Sequence, residues 1–351
     1  MKKVLYITNI EVPYRTAFFN LLAQEVDLTV LYERRVSANR DLSWAKGEER
    51  HFHYEYLDGA DTGNESSFSF SIIKRVRRGY DAVVIGCYNT PAQILAMATM
   101  RMCRIPFYIN LDGEPFLGHG IKSLAKRCAL KGSRGLFVAG NTAAINVEPA
   151  VKKGTKITAY NFSSFTQSDI DRISQLPLVE RESYILVVGQ YFDYKGLDVA
   201  TEVARLMPEQ RFVVVGTGNR SEAYIKATYP PANVEVIPFL DKNSLIEHYR
   251  RCRVFVLPSR QECWGLALVE AATCGAPVVS TWGAGAAVDM LGNTDYEQYL
   301  AQPGDVDSLK KTLGTCLGTD LTPYSHYLAK RAQQYTIEQN AKVFGNELNR
   351  L

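Results

Sequence analysis

Between Val254 and Thr281 the chain runs VFVLPSRQECWGLALVEAATCGAPVVST. Two short apolar, β-rich runs, FVLP and PVVST, flank a helical stretch, GLALVEAAT, with Gly275 where a C-terminal cap belongs. A strand, loop, helix, strand of this kind belongs to a parallel sheet covered by helices, which narrows the fold more than any other stretch does. It also holds two acids eight positions apart, Glu262 in the loop and Glu270 inside the helix. Glu262 lies just before a helix N-terminus, where unpaired N–H groups and the positive dipole end gather anions and hydroxyls. Glu270 lies one turn from Leu266 and from Thr273, on the apolar arc, where a carboxylate requires a partner. An acid at a helix start and an inward structural ion pair account for the two glutamates equally well on spacing alone.

The rest of the chain repeats the alternation. KVLYIT, DLTVLYE, FHYEYL, DAVVIGC, PFYINLD and GLFVAG read as strands, separated by the helical stretches RTAFFNLLAQE and PAQILAMATMRMC. A second series starts near residue 183 with SYILVVGQ, LDVATEVARLM, RFVVVGTG, VEVIPFL and SLIEHYRRC. Two α/β series in 351 residues predict two Rossmann-like domains. The expected division is a first Rossmann-like domain over 1–165, a polar, Pro-interrupted linker over 166–182, a second Rossmann-like domain over 183–325, and a helical segment over 326–351 that packs back on the first domain. The first strand directly follows two lysines and lacks a signal-peptide h-region, and no apolar run is long enough to span a membrane. Seven cysteines without paired spacing suit reduced thiols in a cytoplasmic protein. A net charge of +3 is too small to imply nucleic acid.

In parallel sheets ligands sit at the carboxyl ends of the strands. In the first half this singles out the loop from Asn9 to Thr16, where Tyr14 and Arg15 present a ring and a cation, and the loop from Asp112 to Gly120, with Asp112, Glu114 and His119. The first loop lacks the glycine fingerprint of a dinucleotide site. The next stretch, IKSLAKRCALKGSR, spaces Lys122, Lys126 and Arg127 at helical intervals, as SIIKRVRRG does with its own cations. Such a basic amphipathic helix is a solvated face or a contact with an anionic membrane. In the second half, Gly189 and Lys195 lie in one strand-end loop and Gly216 and Gly218 in another. Backbone N–H groups and Lys195 suit phosphate, and carboxylates suit hydroxyls. A nucleoside-diphosphate sugar meets these demands together.

These residues resemble family 4 glycosyltransferases of the GT-B architecture. The likeness rests on GQYFDYKGLD, VVVGTG, the PFL at 238–240, YNFSS at 160–164 and above all PSRQECWGLALVEAATCGAPVVST, which is similar to the family's E-x7-E segment. It covers most of the second domain strongly and the first in architecture. The resemblance implies a retaining transfer of a sugar from a UDP-, GDP- or dTDP-sugar to a glycan or lipid-linked acceptor, with no metal or cofactor required. Lys195 would neutralise the diphosphate, Glu262 bind the donor sugar, Glu270 the ribose, and Phe239 and Leu240 border the base. Gly189, Gln190, Gly216 and the segment Cys263, Trp264, Gly265 and Leu266 would complete the donor site. Lys195 and Glu262, with Asp112 and Glu114 towards the acceptor hydroxyl, form the expected catalytic group, and Tyr14, Arg15 and His119 would contact the acceptor.

Two departures bear on this. Where the family carries an arginine five positions before the lysine, this chain has Gln190, and Arg260 is the candidate substitute. Cys263 replaces a glycine and narrows the space near the sugar. A nucleotide-sugar 2-epimerase and a non-catalytic nucleotide-sugar-binding protein are the alternative readings. Asp169-Ile170-Asp171 has the spelling of a metal-binding motif but falls in the polar stretch, where it reads as a solvated turn.

Overall fold

The computed structural model describes residues 1–35, 49–63, 66–86, 90–112, 121–177 and 179–350. The chain forms two compact units, one of residues 1–162 and 337–351 and one of residues 163–336. Among the described residues, unit 1 contains β1 (Lys3–Thr8), β2 (Asp27–Tyr32), β3 (His53–Tyr56), a small hairpin of β4 (Ala60–Gly63) and β5 (Ser66–Phe68), then β6 (Ala82–Ile85), β7 (Phe107–Leu111), β8 (Gly135–Ala139) and β9 (Lys156–Tyr160). Its main sheet is parallel, in the order β3-β2-β1-β6-β7-β8-β9. Unit 2 contains β10 (Tyr184–Val188), β11 (Arg211–Val215), β12 (Val234–Ile237), β13 (Val254–Val256), β14 (Val278–Thr281) and β15 (Leu300–Ala301). Its sheet is also parallel, in the order β12-β11-β10-β13-β14-β15.

The central strands are Val-, Ile- and Leu-rich and buried along their length, as strands covered on both faces must be. Helices start where the local chemistry allows it. Pro13 and Pro91 sit in the first turns of Pro13–Leu22 and Pro91–Cys103, where no backbone donor is needed, and Thr90 caps the second by accepting from Gln93 N at 3.3 Å. In each sheet the strand order reverses once, between β1 and β6 and between β10 and β13. The crevice at such a switch point is where open α/β sheets bind ligands.

Three expectations are corrected. The stretch 166–182 is not only a linker: it holds the helix Gln167–Gln175, whose Ile170 and Ile173 pack with Phe165 and Ile246 inside unit 2. The signal was Thr166 three residues before Asp169, a reciprocal capping box that the polar composition obscured. Asp169-Ile170-Asp171 therefore lies on a helix and not in a turn, and Asp169 accepts from Lys242 Nζ at 2.7 Å. The segment 326–351 is two helices, Thr322–Ala332 in unit 2 and Ile337–Leu348 in unit 1. The second packs on Pro13–Leu22, with Phe344 stacked on Phe137 at 3.8 Å and edge-on to Phe18 at 5.0 Å. β9 escaped the strand reading because KITAY is a half-exposed edge strand with a weak apolar run.

Candidate active site

In unit 2 the loops after β10 and β13 meet at the switch point. Gly196 makes the approach possible: at φ +68° it lies against the carbonyl of Pro258, where any Cβ would collide with that oxygen. Arg260 N and Gln261 N then donate to Tyr194 O at 2.9 and 3.2 Å. Across this seam Lys195 Nζ forms an ion pair with Glu262 Oε2, which also receives Ser259 Oγ at 3.5 Å. Both side chains are mostly buried, at 23% and 15% exposure. The loop after β14 locks the acid from its other side, since Glu262 N donates to Gly283 O at 2.8 Å and Gly285 N to Glu262 O at 3.3 Å.

Gly265, at φ +107°, opens the helix Leu266–Thr273, a conformation an L side chain rarely adopts. The turn directs the first N–H groups of that helix to the strand-end edge. Gly216, at φ +91°, lies beside Gly189, and the Gly218 N–H donates to Pro238 O at 2.8 Å, so the loops after β10, β11 and β12 are neighbours. Phe239 follows and is exposed, and Leu240 is half-buried. Gln190 is half-buried at the start of the Lys195 loop, and Cys263 is half-buried beside Glu262.

Glu270 is the partnered acid its position required. Its Oε1 accepts from Ser164 Oγ at 2.6 Å and its Oε2 from Tyr249 OH at 3.1 Å. Burial raises its carboxyl above the ordinary value, and these two donors offset part of that shift.

Two residues assigned to the donor differ in role. The Trp264 indole is buried against Tyr335, so only its backbone stands at the site edge. Arg260 does not present a free fork. Its Nη1 and Nη2 donate to both oxygens of Asp198 at 2.7 and 2.6 Å, and Nη1 also to Asp193 O at 2.8 Å. Asp198 lies in the first turn of the helix Leu197–Arg205, where a carboxylate complements the dipole, so the pairing holds the Lys195 loop in place. The cation the sequence did not single out is Arg220, after β11. Its guanidinium lies 4.0 Å over the Phe192 ring, which stacks on Tyr194, and among the described residues it forms no ion pair. A GTGNR string carries no signal for this, because the ring is 28 positions away in sequence.

In unit 1, Arg15 is buried at the end of β1. Its Nη1 donates to Thr8 Oγ1 at 3.2 Å and its Nη2 to Asp112 Oδ2 at 2.7 Å. Asn110 Nδ2 reaches Asp112 Oδ1 at 3.3 Å, and Tyr160 OH donates to Asn110 Oδ1 at 2.8 Å. Arg15, Asn110, Asp112 and Tyr160 line a small cavity with Phe18, Phe162 and Phe344. Tyr14 packs edge-on against Phe162 at 5.4 Å. Glu114 and His119 lie outside the described residues, as do the side chains of Lys122 and Lys126.

Parallel sheets in both units, with a cation–carboxylate pair at a switch point, define the class of protein as a two-unit, doubly wound α/β protein with a candidate ligand site in unit 2. Residues 169–335 match the model of the family described as glycosyl transferases group 1, so unit 2 is a group 1 glycosyltransferase domain. The chain is 29% identical over 173 residues to the 2-deoxystreptamine N-acetyl-D-glucosaminyltransferase of Niallia circulans, covering 47% of this chain and 44% of that protein. It is 31% identical over 188 residues to the sulfoquinovosyl transferase of Arabidopsis thaliana, covering 52% and 35%. The chain thus spans less than half the length of these curated relatives. The sucrose-phosphate synthase structure from Thermosynechococcus elongatus superimposes with a TM-score of 0.73 at 15% identity, covering 100% of this chain and 99% of that one. An E. coli trehalose-6-phosphate structure bound with UDP-2-fluoro glucose gives 0.72 at 11%, covering 99% of each. The likeness shows the fold, which is GT-B. Among the described residues no helix is long and apolar enough to cross a membrane.

Proposed function

We propose that the protein is a retaining glycosyltransferase that moves a sugar from a nucleoside-diphosphate sugar to a hydroxyl of a glycan or lipid-linked acceptor. The observation that carries the reading is the Lys195–Glu262 pair at the β10/β13 switch point, inside the segment that matches the family. On this reading Lys195 exchanges its carboxylate partner for the donor diphosphate, and Glu262, so released, accepts hydroxyls of the donor sugar. Glu270 serves the ribose, and the N–H groups after Gly265 stabilise charge developing on the leaving diphosphate. Arg220 adds positive charge to a loop edge whose other two cations, Lys195 and Arg260, already face acids. Asp112, oriented by Arg15 and Asn110, assists the acceptor hydroxyl. No metal or cofactor takes part. The pathway is cell-surface polysaccharide or glycolipid synthesis, with cytoplasmic location and peripheral contact at the membrane.

The test is incubation with a panel of UDP-, GDP- and dTDP-sugars, with and without glycan and lipid-linked acceptors. Nucleoside diphosphate released in step with a glycosylated product supports the proposal, and the anomeric proton coupling of that product reads retention. Isomerised donor indicates an epimerase, and binding without turnover a binding protein. Either of those outcomes overturns the reading.

A further inference from the structure

One wall of the small unit 1 cavity comes from the far end of the chain. Asn340 stands near the start of the helix Ile337–Leu348, one turn before Phe344 and on the same buried face. It is 3% exposed and lines the cavity with Arg15, Asn110, Asp112 and Tyr160. Those four are bonded to one another, since Tyr160 OH donates to Asn110, and Asn110 and Arg15 donate to Asp112. The Asn340 amide stands apart. Among the described residues its side chain has no hydrogen-bond partner, although it carries two N–H donors and a carbonyl acceptor. Buried side-chain amides are nearly always bonded, because water lost without replacement is costly. An amide kept at a cavity wall in this state is placed to meet a polar group that enters.

The space limits what that group is. The cavity measures about 20 Å³, room for one water-sized group and none for a sugar ring. Of its lining residues only Asp112 and Phe162 are not buried, and the Asp112 side chain is 40% exposed, so the mouth lies at these two. Phe18, Phe162 and Phe344 make the walls apolar, and Asn340 and Asp112 make them polar. A narrow group with an apolar stem and a hydroxyl tip suits both kinds of wall. The hydroxymethyl arm of a pyranose is such a group. Its CH₂ packs on the rings, its hydroxyl exchanges hydrogen bonds with the amide, and the sugar ring stays at the mouth beside Asp112.

We propose that Asn340 and this cavity select the acceptor sugar by its exocyclic hydroxymethyl arm, so that a hexopyranoside binds in preference to its 6-deoxy counterpart. The proposal rests on the reading that unit 1 meets the acceptor, and it adds the residue and the substrate feature that decide which acceptor is taken. Its test uses no donor. Glycoside binding through Asn340 without any transfer would fail the transferase reading alone, and transfer without discrimination at Asn340 would fail this proposal alone.

The experiment is saturation-transfer NMR on the full chain with the methyl α-D-pyranosides of glucose, galactose and mannose, each against its 6-deoxy counterpart. At least one hexoside is expected to bind about tenfold or more tightly than its counterpart, the range for a lost hydrogen bond that leaves a buried amide unpaired. N340L keeps the size of the side chain and removes the amide. It is expected to lose the preference and to melt no lower than the wild type, since the amide has no partner in the chain to give up. N340Q keeps the amide but fills the cavity with one more methylene, and it is expected to lose hexoside binding. The preference retained by N340L, or by N340Q where N340L does not fold, overturns the proposal. So does a wild-type chain that binds no hexoside, or that binds a hexoside and its 6-deoxy counterpart equally.

Discussion

Lys195 and Glu262, 67 positions apart, form an ion pair where the strand order of the unit 2 sheet reverses. The cation belongs to the loop after β10 and the acid to the loop after β13, so one contact spans the crevice that the fold offers a ligand. A diphosphate entering there competes with Glu262 for the ammonium. The Glu262→Gln variant removes that competition. Bare nucleoside diphosphate is expected to bind it up to about fivefold more tightly, since a partly buried pair is worth up to about 1 kcal/mol. Turnover of the sugar nucleotide is expected to fall, because the amide is a weaker acceptor for sugar hydroxyls. Calorimetric titration with UDP and GDP checks the first part, and an equal loss of both properties would show that Glu262 does not compete for Lys195.

Arg260 illustrates how a sequence-based expectation fails for a physical reason. A cation beside Glu262 suits a diphosphate, but the fork is taken by Asp198. Arg260→Ala is therefore expected to lower nucleotide affinity only about two- to threefold, through a looser Lys195 loop, and to cost about 1 kcal/mol of stability, the pair being partly exposed. Burial acts to raise the Asp198 carboxyl, but Arg260 outweighs it and holds the group below its ordinary value. A depressed carboxyl contributes stability that is present above its unfolded value and lost as pH falls through the folded one. The gap between wild type and variant is thus full at neutral pH and closes in acid, which thermal melts across pH will show.

In unit 1, Asp112 is held by two donors, Arg15 and Asn110, that together set its orientation. Asp112→Asn places an amide against the Arg15 fork and removes the acceptor for a substrate proton. Turnover is expected to fall by about 10²- to 10⁴-fold, the range for a positioned acid or base, with donor affinity unchanged. Wild-type turnover in Asp112→Asn and in Glu114→Gln would remove both residues from the acceptor step.

The strands that place these groups were legible because parallel, doubly covered strands are written as apolar runs, and the loop from Pro258 to Gly265 stood out by its resemblance to a family segment, its spacing alone leaving the role of its acids open. What escaped depends on partners far along the chain. The Glu270 position demanded a partner, yet nothing in the sequence names Ser164, 106 positions away, or Tyr249 on the preceding helix. Trp264 entered the expected donor site through the resemblance of its segment to the family's, and only packing against Tyr335 shows that its indole turns inward. The helix Gln167–Gln175 was hidden by its polar face, although its capping box was written in plain order.

The Glu270 carboxyl is raised by burial, so its folded form prefers the proton more than its unfolded form does. The stability that preference contributes is complete below the unfolded value and disappears as pH rises through the folded one. Glu270→Gln mimics the protonated group and is expected to melt higher than wild type at neutral pH, the difference vanishing in acid. Nucleotide affinity should move the opposite way, falling about tenfold or more with loss of a charged acceptor for ribose hydroxyls. Melting curves and titrations on the same variant separate the two effects, and a variant that is both less stable and weaker in binding would make Glu270 a structural acid only.

Gly196 tests whether the seam between the two loops makes the site. It contacts no proposed ligand; its φ of +68° and its packing on the Pro258 carbonyl are what bring Lys195 to Glu262. In Gly196→Ala the left-handed conformation costs about 1 kcal/mol or more, and the Cβ meets a backbone oxygen that has no room to give. The loop after β10 must lift from β13, which separates the cation from the acid and loosens the Arg260–Asp198 pair behind them. A loss of at least about 2 kcal/mol in stability is expected. Nucleotide affinity should drop at temperatures where circular dichroism shows the variant still folded. Lys195→Ala, which removes the cation and leaves the seam intact, should lose nucleotide affinity with little change in melting temperature. If Gly196→Ala melts lower yet binds nucleotide as wild type does, the seam stabilises unit 2 without forming the site.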